Sequence, residues 1–513
     1  MHQSMRTSAE SQEGWYPRPT WQSTAGVAAF AVLGMVLSLF TFPLFRRFGF
    51  AAVVMVIGTP FLLALFVRAI PELFSGLQAV RKSFSWREGC LALLFLSAAT
   101  FAVRNVNTAV SQPLDALAAL RFGPELIVAV ILASRIASGK SSLKYMLSGV
   151  PACLTLFCLV SLLSTLWSIV PIWTFFKSGE FLLDVTLAAV IFQSATRAED
   201  YLKVLNWIWI LYAVETLIPW VGAVVSPATA WDDLGRLRAD IPLVGPNNIG
   251  ATGAVLALVA ISRLLWHNRR PAERAWYWSV FIFGMASLLV AQTRNAIGGF
   301  LLGLPLVLLF ANRKWVVAAL AGLGVPLLLL TSASTIASTY LRRGQSDEEV
   351  QGLTGRMDWW NYAWQQVSFH PWTGLGMYAG GRFGVLARMG RAEAGYMHSD
   401  WLEVAVGTSF WGILTLLAAV LGSWWYLCKG ALCRRLSALE RSLAAECIGV
   451  MAVLTVHSIF NDEFCWHVPL LFLGVLGCAE MLRRRMKDTA RRFVPWNATT
   501  RPDLYSPVLG SRA

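Results

Sequence analysis

Apolar residues come in long runs rather than in alternation. Runs near 24–44, 50–68, 89–103, 124–137, 145–170, 179–195 and 203–225 are followed by a second set near 247–266, 275–291, 295–311, 314–333, 401–427, 443–460 and 466–482. Most approach the roughly 20 residues that carry a helix across a hydrocarbon core of about 30 Å. The pattern predicts an all-α fold, a polytopic integral membrane protein with about 12–14 transmembrane helices. Strands of alternating hydropathy are absent, which excludes a membrane β-barrel.

The run from 275 to 310 must fold back. As one helix it would be about 54 Å long at 1.5 Å per residue, far more than the bilayer core. The polar break is Gln292-Thr293-Arg294-Asn295, so Arg294 is placed at a tight turn near one membrane face. Leaving it in lipid would cost about 3 kcal/mol or more. The largest polar interruption is 334–400, with Arg356, His370, Arg382, Arg388, Arg391 and His398, and with Asp400 and Glu403 at its end. Inside it, Thr354 and Gly355 predict a helix start and Pro371 a stop. Trp360, Trp364 and Val367 recur at i, i+4, i+7, which predicts one apolar face lying along the outer membrane surface.

Composition supports the same class, since 56% hydrophobic and 14% charged residues exclude an ordinary soluble domain. The formal charge of +14 raises nucleic acid as a partner, but the basic clusters at 81–88, 267–274, 312–314, 434–435 and 483–485 sit beside apolar runs. That is the positive-inside pattern, and no interleaved basic and aromatic module accompanies it, so nucleic acid is rejected. With 267–274, 312–314, 428–441 and the C-terminal stretch in the cytosol, alternation puts 226–246, Arg294 and 334–400 outside. Phe45-Arg46-Arg47-Phe48 breaks the rule. The organisation expected is a cytosolic tail over 1–23, a membrane domain over 24–485 with the external loop 334–400, and a disordered cytosolic tail over 486–513. Eight cysteines form no C-x-x-C pair, so neither a disulfide framework nor a zinc site is expected.

Three arginines fall outside under this topology: Arg238, Arg294 and Arg356. A single one would only anchor an interface, but three on one face, offering forked donors and a helix start, suit a diphosphate. His398 precedes the span that begins at Trp401 and is placed to take a proton near neutral pH, although a lone histidine is more often structural. His398, Asp400 and Glu403 can be written as a metal site, but the spacing matches no strong motif. Gly374-Leu375-Gly376 offers backbone amides to phosphate. Asp184 and Glu215 lie inside apolar runs and keep a transporter or lipid flippase open.

The segment LTGRMDWWNYAWQQVSFHPWTGLG followed by His398 and Leu402 resembles the O-antigen ligase and polymerase superfamily of bacterial membrane glycosyltransferases. Arg238 before Gly245-Pro246-Asn247-Asn248, Gln292-Thr293-Arg294, and Ser164–Pro171 also resemble segments of that superfamily, over about residues 150–480. The resemblance implies transfer of oligosaccharide units from an undecaprenyl-diphosphate carrier on the periplasmic side of the inner membrane, in exopolysaccharide or O-antigen synthesis. It implies no cofactor and no metal. Arg238, Arg294 and Arg356 would hold the diphosphate and His398 would activate the acceptor hydroxyl, with Arg236 competing for the place of Arg238 because Ala239-Asp240-Ile241 stands where a glycine is common. The partners implied are the lipid-linked donor, a glycan acceptor, membrane lipids, and export or chain-length proteins. The TLWSIVP and LTGRMDWW segments resemble exopolysaccharide members and favour a polymerase over a ligase.

Overall fold

The computed structural model describes residues 62–99 and 116–492, apart from 77, 79–83, 233, 241–242, 267–269, 321–339, 341, 343–344, 347–354, 392–394 and 466–467. The runs predicted at 24–44 and over most of 50–68, the Phe45–Phe48 exception, and most of 334–352 lie outside the described residues. The chain forms two compact units, 1–83 with 267–282 and 84–266 with 283–513. In the first, residues 62–76 are helical. The second carries the candidate site.

The fold is an all-α polytopic membrane protein. In chain order the helices are α1 (Trp86–Ala99), α2 (Ala116–Ala137), α3 (Gly149–Leu163), α4 (Pro171–Ser194), α5 (Ala198–Val225), α6 (Pro246–Trp266), α7 (Pro271–Ala291), α8 (Arg294–Phe310), α9 (Lys314–Ala319), α10 (Arg356–Phe369), α11 (Asp400–Leu432), α12 (Ala438–His457) and α13 (Leu470–Arg492). Between α5 and α6 two short strands, β1 (Ala239–Asp240) and β2 (Leu243–Val244), pair antiparallel with Ala239 opposite Val244. Among the described residues, Gly149–Trp167, Ala198–Val225, Pro246–Trp266, Pro271–Ala291 and Asp400–Leu432 are long and apolar enough to cross a membrane. The run 275–310 does fold back, with α7 ending at Ala291 and α8 starting at Arg294. Helix starts follow local chemistry. Pro171 opens α4, where its missing N–H costs nothing, and Ser437 with Glu440 forms a capping box on α12. One expectation differs: α13 continues to Arg492, into the stretch expected as a disordered tail, because Glu480 binds Arg483 and Arg484 and Glu440 binds Arg485.

Helices α8 and α12 run antiparallel, with Gly299 against Val453 and Gly303 against the Gly449 carbonyl. The start of α8 therefore lies beside the end of α12. Thr293 Oγ1 donates to the Pro246 carbonyl at 2.9 Å, which brings the start of α6 to the same end. The Asp400 carboxylate at the head of α11 accepts the N–H groups of Glu463 and Phe464 at 2.7 and 2.9 Å, tying in the loop after α12. At the opposite end Arg485 reaches the Thr196 carbonyl and Glu440, the latter in the first turn of α12, which follows Arg434 and Arg435 in the chain. The basic loops thus gather at one end of this unit and the candidate residues at the other.

Toward the basic end a buried clamp joins three helices. Arg263 of α6 pairs with Glu446 of α12 through two bonds of 2.8 Å, and Trp209 Nε1 of α5 donates to the same carboxylate at 2.7 Å. Glu446→Ala would remove both bonds to Arg263 and the bond to Trp209, and breaking a buried pair of this kind costs about 3–5 kcal/mol. Glu446→Ala is expected to lower the thermal unfolding midpoint in detergent sharply and Glu446→Gln less, since an amide oxygen still accepts from Trp209.

Candidate active site

The segment after α10 works as a strap laid into a break in α11. At Ser409, φ is 51° and ψ −133°, so the regular backbone bonding of α11 stops there. The Val406 carbonyl instead accepts from Leu375 N at 2.8 Å, the Gly407 carbonyl accepts from Gly376 N at 2.9 Å, and Phe410 N donates to the Pro371 carbonyl at 3.3 Å. Unpaired backbone at such a depth has no water to turn to, so the strap and the broken helix satisfy each other. This corrects one sequence reading. The amides of Leu375 and Gly376 are spent on α11 rather than offered to phosphate, and the glycines serve positive φ, +65° at Gly374 and +96° at Gly376. The Ser164–Pro171 turn holds the strap from its other side: Trp167 Nε1 donates to the Thr373 carbonyl at 2.7 Å, and Met377 N to Ser164 Oγ at 3.0 Å.

Helix α10 begins after Gly355, at φ +82°, and ends at His370, as the sequence predicts. Two residues of the predicted apolar face, Trp360 and Val367, pack inward. Trp359, Trp360, Ala363 and Val367 pack on Leu375, Leu386, Met397 and Leu402, whereas Trp364 is exposed. Spacing alone could not say which side of a tryptophan-rich helix would meet the strap.

His398 lies in the turn before α11, at φ +52°. Trp360 Nε1 donates to the neighbouring Met397 carbonyl at 3.2 Å, the Tyr396 ring lies 4.2 Å from the His398 ring, and Trp359 lies 6.4 Å away. Arg356, in the first turn of α10, donates from Nη1 to the Phe460 carbonyl at 2.9 Å. Burial lowers the His398 pKa to about 3 and the Arg356 charge adds to the effect, against an opposing hydrogen bond with Asn461. His398 is therefore a neutral imidazole at working pH, and its Nδ1 is buried without a hydrogen-bond partner among the described residues.

Sequence reasoning missed the loop 461–463. Both Asp462 carboxylate oxygens are buried without a hydrogen-bond partner among the described residues. Burial, with Asp400, Glu403 and Glu463 around it, holds this carboxyl well above the usual range, and Arg356 opposes them. Tyr396 OH lies 3.5 Å from Asn461 Oδ1, and Glu463 pairs with His457 Nδ1. The only trace in the sequence is a polar Asn-Asp-Glu triplet closing an apolar run.

The other two arginines form a second cluster at the same end. Arg238 N donates to the Ala230 carbonyl at 2.9 Å, in a segment whose Leu237 packs with Ala291 beside the α7–α8 turn. Arg294 opens α8 and donates to Gln345 and to the Arg342 carbonyl. Arg236 is near enough to Arg294 to repel it, yet is bound to Asp232 at 2.6 Å. Arg356 and His398 are thus brought together, and Arg238 and Arg294 are neighbours through their loops. The two clusters are joined by the packing of α8 on α12. Asp400 does not face His398 as a metal ligand would, because its oxygens take Glu463, Phe464 and Cys465. Asp184 accepts the Val468 N–H at Oδ2 at 2.7 Å, tying α4 to the segment before α13.

Fold and site define a polytopic helical membrane protein that gathers arginines and a neutral histidine at one end of its helices. A family model described as O-antigen ligase matches residues 278–420, from within α7 to within α11. Over that stretch the chain is similar to the O-antigen ligase family, which supports a place near the O-antigen ligase and polymerase superfamily and suggests a glycosyltransferase-like enzyme. The match includes Arg294, Arg356 and His398 and leaves out Arg238 and the Ser164–Pro171 turn. No curated protein matches the chain.

Proposed function

We propose that the protein is a glycosyltransferase of the bacterial inner membrane that transfers oligosaccharide repeat units from an undecaprenyl-diphosphate carrier at the periplasmic face. The observation that carries this is the pairing of His398, kept neutral by burial and by Arg356, with arginines at the end opposite the basic loops. His398 removes the proton of an acceptor hydroxyl, whose oxygen forms the new bond to the anomeric carbon. The bond from that carbon to the carrier phosphate breaks, and undecaprenyl diphosphate leaves with the electron pair. Arg356, Arg294 and Arg238 stabilise the charge that grows on it, without a metal. A single displacement of this kind inverts the anomeric centre. Arg238 keeps the place that the resemblance gives it, and Arg236, paired with Asp232, remains its competitor. The organisation that goes with this reading keeps 334–400 as the periplasmic catalytic loop, 24–485 as the membrane domain, and 1–23 and 486–513 as cytosolic ends. The lipid-linked donor, the glycan acceptor, membrane lipids, and export or chain-length proteins are its partners.

Among acceptors, a second lipid-linked repeat unit is favoured, which makes the protein a polymerase. The support is the Ser164–Pro171 turn, which resembles exopolysaccharide members and seats the strap. The alternative is a ligase that attaches glycan to lipopolysaccharide core. A deletion strain separates them. Loss of a polymerase leaves single repeats on the carrier and no long glycan; stranded long polymer on undecaprenyl diphosphate would promote the ligase.

The lowered His398 pKa sets the pH dependence. An ordinary histidine titrates near 6.5, so between about 3 and 6.5 the unfolded chain binds a proton that the native site refuses. Stability from this residue is complete above about pH 6.5 and falls as pH drops. In the folded free enzyme His398 stays neutral through this window, so kcat/KM should show no acidic limb near 6.5. Bound diphosphate adds negative charge nearby and should raise the pKa that kcat reports. Initial rates from pH 5 to 8 check this, and a kcat/KM limb centred near 6.5 would contradict it.

A further inference from the structure

The turn that presents His398 is held from inside by a carboxylate that the mechanism above does not use. His398 stands in the left-handed region, where a non-glycine residue persists only if its surroundings fix it. The residue before it, Met397, is buried and donates its N–H to Glu403 Oε2 at 3.3 Å. The Glu403 amide in turn donates to the Ser399 carbonyl at 2.9 Å, so the first turn of α11 grips residues on both sides of the histidine. Glu403 is 2% exposed. Its carboxylate occupies the space where a side chain at residue 381 would go, since a Cβ on Gly381 would fall against both of its oxygens. Arg382, next to that glycine, lies over the Trp173 ring at 4.8 Å and attracts the same carboxylate.

We propose that Glu403 is a positioning residue for His398: seated in the slot that Gly381 leaves open, it fixes the Met397 amide and thereby the orientation of the histidine. The inference rests on His398 acting as the base. It assigns Gly381 a role that flexibility of a glycine-rich segment does not explain, which is to make room for the Glu403 carboxyl group.

The test uses purified full-length protein and an undecaprenyl-diphosphate oligosaccharide, with kcat and donor KM measured for Glu403→Gln, Glu403→Ala, Gly381→Ala and the double variant Gly381→Ala/Glu403→Ala. Glu403→Gln still accepts from Met397 and should stay within about threefold of wild type. Glu403→Ala and Gly381→Ala should each lower kcat by about 10- to 100-fold, the scale of a misplaced reacting group, with donor KM little changed. The double variant should be no worse than Glu403→Ala alone, because removing the carboxylate makes room for the new methyl group. Multiplying losses in the double variant, or Glu403→Gln as poor as Glu403→Ala, would overturn the proposal. Should Glu403→Ala fail to accumulate, Gly381→Ala decides, and an unchanged kcat there overturns it. His398→Ala run in parallel keeps the two failures apart: wild-type transfer by that variant sinks the base assignment, whereas its loss beside an active Glu403→Ala sinks the positioning role alone.

Discussion

Replacing His398 with alanine is expected to abolish glycan transfer, by about 10²- to 10⁴-fold or more, while protein level and binding of the lipid-diphosphate donor persist. The residue is held as a neutral imidazole by burial and by Arg356, which is the form that can receive a proton. The donor contacts assigned here come from arginines, which the substitution leaves in place. Little structural loss should follow either. The neighbouring turn is fixed by Met397, Ser399 and Asp400 through their own bonds, and alanine at this position removes a ring flanked by Tyr396 and Trp359. Transfer is read with purified protein, and donor binding with labelled lipid.

Arg356→Ala should cost about 10²- to 10³-fold in kcat, the scale seen when one donor to a developing anion is removed, and should weaken donor binding as well. Arg356→Lys should recover only part, since an ammonium group lacks the fork that fits a phosphate. The substitution carries a second signature. Arg356 is one of the two influences that lower the His398 pKa, so its loss should move that pKa back toward 6.5 and give kcat/KM an acidic limb absent from wild type. An arginine that served only as an interface anchor would leave the pH profile unchanged.

The fold class and the helix boundaries around the candidate residues were legible because they follow from simple constraints. A run of 36 residues is too long to cross a bilayer once, so the hairpin at Arg294 could be read from length and one polar break. Arg356 at the start of a helix ending before Pro371, and His398 ahead of the next span, followed from the same punctuation. What stayed hidden depends on which backbone meets which. The break at Ser409 lies inside a run that reads as continuous helix, and only the strap supplies the partners that make it tolerable. For that reason Gly374 and Gly376 looked like a phosphate cradle and are instead the strap's own bends. Trp364 satisfied the helical period yet faces outward, because Trp359 and Trp360 are turned toward Leu375 and Met397. Asp462 left only the polar triplet Asn461-Asp462-Glu463 as a trace, since its place beside Arg356 comes from the docking of the loop after α12 on the head of α11.

The most direct measurement is transfer by the purified protein, in detergent or liposomes, given only an undecaprenyl-diphosphate oligosaccharide, with EDTA present and no nucleotide sugar. The account predicts longer lipid-linked glycan with an inverted linkage and release of undecaprenyl diphosphate, both lost in His398→Ala. Extension that persists at wild-type rate in His398→Ala, or that needs an added metal, would contradict it.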